Sequence, residues 1–346
     1  MEHNLSDILN FESWQLKLQN EKEPILLYGM GDGADKLLSV LESIGVSING
    51  VFASDGFVRG QSFRGMPVRT LAEAEAEFGN FTAVQAFALH GKNCDILRNF
   101  KHRLISPNIS VSGKSICDKT FIIKNIEAFE YAYSRLADDE SRAVMESVLS
   151  YNISGDISHL FEVCSEKYRF EKHSDVHIDI GAYDGDTVIE FAKENDSYSE
   201  IIAVEPDEKN YKKLSENTSN IRDVNCINAA AWSGDGTGRL SQGKGRGSTL
   251  ENEGNPIRVI SIDNIAKRKK VGSIKIDSEG SDKEVLYGAV NTICGQTPQL
   301  AVAVYHRAED MFAIPQLLWY YNNKYKIYLR KIDYVPPWDI FCYAKV

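Results

Sequence analysis

Basic residues are scarce in this sequence relative to acidic ones. Its 39 lysines and arginines face 49 aspartates and glutamates, which gives a formal net charge of −10. Such a charge disfavours binding to the phosphate backbone of nucleic acids and to anionic membranes. The sequence also lacks an apolar run that approaches a membrane span, and its N terminus lacks a charged-then-apolar leader. We therefore expect a cytoplasmic protein with no nucleic-acid or membrane partner.

Cysteine is also sparse, and its distribution excludes two classes of protein. The six cysteines are widely scattered over the chain: Cys94, Cys117, Cys164, Cys226, Cys294 and Cys342. This spacing is neither that of a zinc site nor that of a small disulfide framework. Buried, reduced thiols are predicted instead, and no metal site is predicted from the cysteines.

The length and composition are those of a globular protein with two domains. The chain has 346 residues, of which 43% are hydrophobic and 25% charged, and each half is long enough to bury its own core. We predict a small Rossmann-like domain over residues 1–115, a helical connector over 116–172, and a second α/β domain over 173–346. We expect the N-terminal domain to fold independently and to contribute nothing to the cofactor cleft. The oligomeric state is not indicated.

The most informative stretch runs from Val176 to Asp207. Apolar residues alternate from Val176 to Ile180, as in a strand, and a turn bracketed by Gly181 and Gly185 follows. A helix is predicted to begin at Asp186, and the next strand delivers Glu205 at its carboxyl end. Because ligands of open α/β sheets bind outside the carboxyl ends of the strands, Gly181–Thr187 and Glu205 should face one cleft.

The charge of this turn indicates which nucleotide the cleft accepts. Asp179, Asp184 and Asp186 crowd it, and three carboxylates would repel a pyrophosphate. S-adenosylmethionine carries no phosphate, and carboxylates favour its sulfonium and ammonium groups. Glu205, about 20 residues beyond the turn, is placed for ribose hydroxyls of either kind of cofactor. The alternative is a non-binding α/β turn with solvated acids.

We predict that S-adenosylmethionine contacts residues after three neighbouring strands. These residues are Asp179, Gly181, Tyr183, Asp184, Gly185, Asp186, Thr187, Glu205, Pro206, Asp207, Asn228, Ala229 and Ala230. The last three end a strand predicted over Val224–Ala230, near the adenine position. The Gly- and Ser-rich stretch from Gly234 to Gly254 predicts hairpins or a mobile flap.

A second chemical centre is predicted around Asp277 and His306. A buried strand with Ile274 and Ile276 delivers Asp277, and Glu279 follows two residues later. Ser281 and Glu284 have the spacing of a capping box at the start of the next helix. The strand Leu300–Val304 places His306 at the same edge, where a histidine can act as a general base. We predict that Asp277 or His306 assists proton removal, with Glu279 positioning, and that residues 325–330 and 340–344 form an antiparallel hairpin.

The N-terminal part carries a second possible nucleotide site. After a predicted helix over residues 1–23, a strand over 24–28 leads into Gly29-Met30-Gly31-Asp32-Gly33-Ala34, which fits the dinucleotide fingerprint in its alanine variant. Asp55, after a strand predicted over 48–53, is placed for a ribose. Asp32 counts against this site, because its charge lies where a pyrophosphate would bind. A structural or substrate-positioning role is the alternative to nucleotide binding.

Residues 173–346 resemble the FkbM family of S-adenosylmethionine-dependent methyltransferases. The resemblance rests on four ordered segments, HIDIGAYDGDT, IIAVEPDEKNYKKL, IKIDSEGSDKEVLYGA and LAVAVYHRAEDMFAIP, and on the predicted connector, YAYSRLADDESRAVMESVLSYNISGD. In one departure, Ser281-Asp282 stands where the family usually has Ala-Glu, so the family's role for that acid is not transferred to Asp282. The connector itself is predicted to contain helices over 125–150 and 157–168.

The resemblance implies an α/β fold and a reaction. The expected fold is a Rossmann-like class I methyltransferase sheet, mostly parallel with an antiparallel edge hairpin, preceded by a smaller Rossmann-like α/β domain and the helical connector. The implied reaction is methylation of a hydroxyl on a sugar, glycan or secondary metabolite. Asp277 together with other oxygen ligands around Mg²⁺ is an alternative catalytic device. Two other functions remain open: a nicotinamide-dependent oxidoreductase acting through Gly29–Asp55, and a catalytically silent nucleotide- or sugar-binding protein.

Overall fold

Two α/β domains and a helical connector make up the computed structural model, which describes residues 5–109, 115–163, 169–242, 248–250 and 254–346. The N-terminal domain contains helices α1 (Trp14–Gln19), α2 (Asp32–Ser43), α3 (Leu71–Phe78) and α4 (Asp95–Arg98), and strands β1 (Ile25–Tyr28), β2 (Gly50–Phe52), β3 (Ser62–Phe63), β4 (Met66–Arg69), β5 (Thr82–Gln85), β6 (Leu89–His90) and β7 (Arg103–Ile105). Six of these strands form a sheet in the order β3-β4-β2-β1-β5-β7, which is parallel except for β3.

The N-terminal segment differs from the single helix predicted over residues 1–23. A 3-10 turn over Leu5–Asn10 precedes α1, and the hydroxyl of Ser13 caps α1 by accepting from the Leu16 amide. Ser13 therefore begins a separate helix, and the apolar residues of the segment are divided between the 3-10 turn and α1. Its apolar side chains Ile8, Trp14 and Leu18 are buried.

The stretch from Thr82 to Leu89 is divided between two strands. β5 ends at Gln85, and β6 leaves the sheet to pair antiparallel with β18 (Tyr334–Val335) from the far end of the chain. Alternating apolar residues predict a strand but do not tell which partner it finds.

The described part of the connector holds four helices, α5 (Lys119–Lys124), α6 (Ile126–Arg135), α7 (Asp139–Ser154) and α8 (Ser158–Phe161). The helix predicted over 125–150 breaks at Leu136, because Asp138 accepts from the Ser141 amide at 2.8 Å and caps a separate helix. The helix predicted over 157–168 extends only to Phe161, and residues 164–168 of that prediction lie outside the described residues.

The C-terminal domain contains β8 (Val176–Ile180), α9 (Asp186–Glu194), β9 (Glu200–Val204), α10 (Glu208–Asn217), β10 (Val224–Ile227), β11 (Ala230–Ala231), β12 (Gly236–Gln242), β13 (Ser248–Leu250), β14 (Asn255–Ile260), α11 (Ile262–Ile265), β15 (Val271–Ile276), α12 (Asp282–Tyr287), α13 (Val290–Gln296), β16 (Gln299–Ala303), α14 (Asp310–Tyr321), β17 (Lys326–Lys331), β18 and β19 (Ile340–Lys345). Its main sheet has the order β10-β9-β8-β15-β16-β19-β17. All neighbours pair in parallel except β19, which is antiparallel to β16 and β17. The predicted fold class is confirmed.

A smaller sheet, in the order β11-β14-β12-β13, lies beside the main one. The strand predicted over 224–230 is therefore two strands in different sheets, since Ala230 pairs with Val259 and not with β9. β12 and β13 form an antiparallel hairpin within the predicted 234–254 stretch, and residues 243–247 and 251–253 of that stretch lie outside the described residues.

One large hydrophobic core joins the two domains through the connector. It contains side chains from the N-terminal sheet such as Leu26, from α7 such as Leu149, and from the main sheet such as Ile178. No helix in the described part of the chain is both long enough and apolar enough to cross a membrane.

Candidate active site

The turn after β8 is shaped by three residues with positive φ. Gly181, Tyr183 and Gly185 have φ values of +74°, +48° and +91°. A Cβ atom at Gly181 would lie 1.9 Å from the carbonyl oxygen of Asp277, so only glycine lets the turn pack against the end of β15. The predicted cofactor turn and the predicted catalytic strand end are thus in direct contact.

Asp179 lies beneath this turn. Its side chain is fully buried and accepts from the Thr187 hydroxyl at 2.5 Å and from Lys275 Nζ, on the neighbouring strand, at 3.1 Å. Burial works against the charge of Lys275, but Asp179 and other nearby acids outweigh it and raise the pKa of this lysine. The charge of Asp179 is therefore neutralised by an internal ion pair. In this position Asp179 is better placed to hold the turn in its conformation than to contact a cofactor directly.

Asp184 and Asp186 remain at the surface of the turn. Asp186 is exposed and accepts from the Thr187 amide at 2.7 Å, while the Asp184 carbonyl accepts from Asn217 at 2.8 Å. The cleft thus presents two acidic side chains from this turn, and Lys275 offsets the third. The prediction of a cationic cofactor rests on the three acidic residues of this turn. The net negative charge of the turn is smaller than the sequence alone suggests.

Glu205 is the buried acid at the end of β9. Its carboxylate accepts from the backbone amides of Tyr183 at 3.0 Å and Asp207 at 2.9 Å. Burial raises the pKa of Glu205 to about 7, although these two hydrogen bonds favour its ionised form. Glu205 therefore links the Gly181 turn to the loop after β9. It lies directly after the carboxyl end of β9, the position expected from the sequence.

The remaining predicted cofactor residues line or support that loop. Asp207 caps α10 by accepting from two amides in its first turn. Asn228 donates to the carbonyls of Glu205 at 2.9 Å and Pro206 at 3.1 Å, so its amide group holds the loop in place. Ala229 and Ala230 are buried, and Ala230 belongs to the smaller sheet.

The carboxyl ends of β15 and β16 bring Asp277, Glu279 and His306 together. The Nε2 atom of His306 is 3.4 Å from Asp277 Oδ1 and 3.8 Å from Glu279 Oε2. The Tyr305 hydroxyl donates to Asp277 Oδ1 at 3.1 Å. His306 itself is fully buried, and its Nε2 atom has no hydrogen-bond partner among the described residues, although Asp277 and Glu279 both lie within ion-pair distance of it.

The opposite nitrogen of His306 is bound to Asp282. The distance from Nδ1 to Asp282 Oδ2 is 2.8 Å, and both side chains are completely buried. Burial alone would lower the pKa of His306, but the charge and hydrogen bond of Asp282, with smaller contributions from Asp277 and Glu279, raise it to about 9. The interaction with His306 likewise lowers the pKa of Asp282. At neutral pH the histidine is therefore predominantly an imidazolium.

Asp282 corrects the sequence-based interpretation of this helix start. The capping box predicted from Ser281 and Glu284 is wrong, because the Ser281 side chain caps nothing. Asp282 instead accepts from the amide and hydroxyl of Ser278, at 2.8 and 3.0 Å, and supports His306. The sequence pattern that would have predicted this pair is an acidic residue in the first turn of one helix together with a histidine at the end of a neighbouring strand.

Asp310 is a second buried acid that the sequence analysis missed. Its Oδ2 atom accepts from the Arg307 amide at 3.0 Å, and its Oδ1 atom is buried without a partner. Burial and the charge of Asp282 raise the pKa of Asp310 to about 7.

The fingerprint in the N-terminal domain has a structural explanation. A Cβ atom at Gly29, whose φ is +112°, would lie 2.9 Å from Phe87, and one at Gly33 would lie 3.1 Å from the Ala86 carbonyl. Both glycines thus permit close packing of the turn against the segment after β5. Asp55 is exposed in a 3-10 turn, and nucleotide binding here stays a prediction.

Known proteins resemble the chain in sequence pattern and in fold. Residues 179–326 match the model of the methyltransferase FkbM domain. The crystal structure of methyltransferase FkbM from Methylobacillus flagellatus KT aligns with 98% of this chain and 95% of its own, at 19% identity and a TM-score of 0.72, which shows a shared fold. Fibrillarin from Aeropyrum pernix with natively bound S-adenosyl-L-methionine covers 50% of this chain and 67% of its own, at 12% identity, but its TM-score of 0.33 is too low to support an argument. No curated protein matches the sequence significantly. The family model and the shared fold together support an FkbM methyltransferase domain over residues 179–326.

Proposed function

We propose that the protein transfers a methyl group from S-adenosylmethionine to a hydroxyl of a sugar, glycan or secondary metabolite. The observation that carries this proposal is the contact between the Gly181 turn and Asp277, since Asp277 and Glu279 both lie close to the Nε2 atom of His306. A hydroxyl acceptor needs an oriented oxygen and a nearby group that takes its proton, and these three side chains offer both.

The residues around the cleft fit S-adenosylmethionine. Glu205 is a buried carboxylate that two backbone amides hold at the end of β9, and its remaining lone pairs suit ribose hydroxyls. When bound, S-adenosylmethionine would supply a sulfonium methyl group, whose carbon gains a bond to the acceptor oxygen as its bond to sulfur breaks and leaves the electron pair on sulfur.

His306 is the proposed general base. Neutral His306 takes the acceptor hydroxyl proton at Nε2, the nitrogen that faces Asp277 and Glu279, while Asp282 fixes the opposite nitrogen as N–H. Asp277 and Glu279 orient the acceptor hydroxyl. Because the pKa of His306 is raised to about 9, only a small fraction of the enzyme holds the neutral base at pH 7. A cation bound nearby lowers that pKa and increases the fraction.

Calorimetric titration of the protein with S-adenosylmethionine and, separately, with NADH tests the cofactor. We expect binding of the first and none of the second; NADH binding alone would favour the oxidoreductase alternative. Transfer of tritium from methyl-labelled S-adenosylmethionine to a panel of sugars, glycans and hydroxylated metabolites then tests the reaction. A protein that binds S-adenosylmethionine but is catalytically silent would show calorimetric binding without tritium transfer.

The same transfer assay tests for a metal. We expect activity to be unchanged by EDTA and by added Mg²⁺, because the proposed base is a histidine. Loss of activity with EDTA and recovery with Mg²⁺ would instead favour a metal at Asp277.

A further inference from the structure

A cleft outside the predicted cofactor site lies between the connector and the main sheet. One wall is formed by Val148 and Asn152 of α7, with Asn108 from the end of the N-terminal domain. The other wall is formed by Tyr305 and Arg307, which follow β16, with Ile340 at the start of β19. All three parts of the chain therefore contribute to it.

This cleft is connected to the candidate catalytic residues by a short series of contacts. Tyr305 lines the cleft, and its hydroxyl donates to Asp277 Oδ1 at 3.1 Å. The backbone of Asp277 in turn packs against Gly181 in the cofactor turn. A molecule held in the cleft would thus contact Tyr305, the residue whose hydroxyl is hydrogen-bonded to the Asp277 carboxylate.

Two amide side chains form the polar part of one wall. Asn108 donates from Nδ2 to Asn152 Oδ1 at 2.9 Å, which fixes both amide planes. Asn152 also hydrogen-bonds to the Cys117 thiol. Because each amide group has two N–H donors and an acceptor oxygen, these bonds still leave capacity for ligand hydroxyls. The apolar wall of Val148 and Ile340 suits the carbon skeleton of such a ligand, as in ligand pockets generally.

Arg307 supplies a positive charge to the opposite wall. Its Nε atom donates to the Gly280 carbonyl at 2.5 Å, which holds the guanidinium beside the turn that carries Glu279. No ion pair within 4 Å of this guanidinium is found among the described residues. Its charge nevertheless reaches Glu309: despite burial, the pKa of Glu309 is lowered by Lys283, which pairs with it at 3.1 Å, and to a smaller degree by Arg307. The outer nitrogens of Arg307 are thus available, and guanidinium groups bind carboxylates and phosphates well.

We propose that this cleft binds the methyl acceptor, and that the acceptor is a hydroxylated molecule with an anionic group, which Arg307 binds. The inference rests on the proposed methyl transfer, since it places the acceptor hydroxyl next to Asp277. In a protein of net charge −10, a guanidinium in the cleft that has no ion-pair partner among the described residues favours an anionic ligand over a neutral one.

Three related sugars test the proposal: methyl β-D-glucoside, methyl β-D-glucuronide and glucose 6-phosphate, which are neutral, a carboxylate and a phosphate ester. Their affinities for the full-length protein saturated with S-adenosylhomocysteine are measured by saturation-transfer NMR titration. We expect at least one anionic sugar to bind about tenfold tighter than the glucoside, as expected for a hydrogen bond to a charged group. Equal affinity for all three sugars, or binding of none, overturns the proposal.

Matched variants locate the bound sugar. Arg307→Gln should remove the preference for the anionic sugar, Arg307→Lys should keep most of it, and Asn108→Asp, which adds a negative charge to the opposite wall, should reduce it. Arg59→Gln, at an exposed arginine of the N-terminal domain, should leave it unchanged. A preference that persists in both Arg307→Gln and Asn108→Asp overturns the proposal, and melting curves show that each variant is folded.

S-adenosylhomocysteine affinity in the same samples separates the two hypotheses. If neither S-adenosylhomocysteine nor S-adenosylmethionine binds, the proposed function fails. If they bind normally but the sugar preference is absent or insensitive to Arg307, only the cleft inference fails.

Discussion

At the scale of single residues, the His306–Asp282 pair has the largest consequence for chemistry. Its two side chains are fully buried and hydrogen-bonded, and breaking such a pair leaves an uncompensated charge in the interior. The free nitrogen of the histidine faces Asp277 and Glu279. The pair therefore combines a structural requirement with a proposed catalytic role, and experiments have to separate the two.

The pH dependence of turnover separates them. Because neutral His306 is the proposed base and its pKa is raised to about 9 in the unliganded protein, kcat of the native enzyme should increase with pH and level off below about pH 9, since the bound sulfonium lowers that pKa. His306→Ala should lose about 10²–10⁴-fold in kcat and lose this pH dependence, while S-adenosylmethionine affinity is retained. His90→Ala, at an exposed histidine, is the control. An unchanged rising limb in His306→Ala would show that another group is the base.

Asp282→Asn tests the positioning role in the same assay. The charge of Asp282 raises the pKa of His306, so the variant should shift the rising limb to lower pH as well as reduce the maximal rate. A purely structural role for Asp282 predicts a lower melting temperature with the limb at its original pH.

Glu205 governs a second pH-dependent step. Its pKa is raised to about 7 by burial, and ribose hydroxyls donate to its ionised form, so S-adenosylmethionine affinity should decrease as the pH is lowered through about 7. Glu205→Ala should weaken binding by about 1.5–3 kcal/mol in calorimetry, the range for hydrogen bonds to charged groups. Glu208→Ala, on the exposed start of α10, should have little effect. Native affinity in Glu205→Ala would refute the assignment.

At the scale of elements, the junction between β8 and α9 positions the site. The amides of Gly181 and Ala182 both donate to the Val204 carbonyl, at 3.0 and 3.1 Å, which ties the turn to the end of β9. The contact with Asp277 ties it to β15 on the other side. The geometry of the turn therefore depends on two neighbouring strands as well as on its own sequence.

Gly181→Ala should displace this turn. The added Cβ would overlap the Asp277 carbonyl, and φ of +74° is itself unfavourable for alanine, so we expect a loss of about 1–3 kcal/mol or more in unfolding free energy. S-adenosylmethionine binding should be lost as well. Gly234→Ala, where the new Cβ meets nothing within 4 Å, is the control. Native stability and affinity in Gly181→Ala would contradict the packing argument.

At the scale of the whole molecule, the connector holds the two domains together. The Ala137 amide donates to the Ile327 carbonyl at 2.8 Å, and the Leu329 amide donates to the Ser141 hydroxyl at 3.0 Å, so the helices bind the edge strand β17. Phe129 of α6 packs edge-to-face on Phe312 of α14. On the other side, Lys17 of α1 donates to the Ser154 carbonyl at 2.9 Å.

A truncated protein that starts at Ser174 should therefore be unstable. It loses the connector and leaves exposed the apolar surface of β17 and α14 that the connector covers, which favours aggregation. We expect such a protein to be poorly folded by circular dichroism and size-exclusion chromatography. A monomeric, folded fragment that binds S-adenosylmethionine with native affinity would show that the C-terminal domain is independent, as the sequence alone suggested.

The sequence by itself determined the local elements and the order of the motifs. Alternating apolar residues from Val176 to Ile180, the glycines at 181 and 185, and the strand ends at Glu205, Asp277 and His306 all correspond to the observed strands and turns. Such features depend on backbone geometry and on periodicity, which act over a few residues. The mostly parallel sheet with its antiparallel edge hairpin was implied by the family resemblance of these motifs.

Only the tertiary structure decided which side chains meet. The pairs Asp179–Lys275 and Asp282–His306 join residues 96 and 24 positions apart, and no local pattern specifies such partners. The same holds for β6, which leaves its own domain to pair with β18, and for the cleft between α7 and Tyr305. Partners of this kind are selected by packing and by the cost of leaving a buried charge or backbone group unpaired, and both depend on the complete fold.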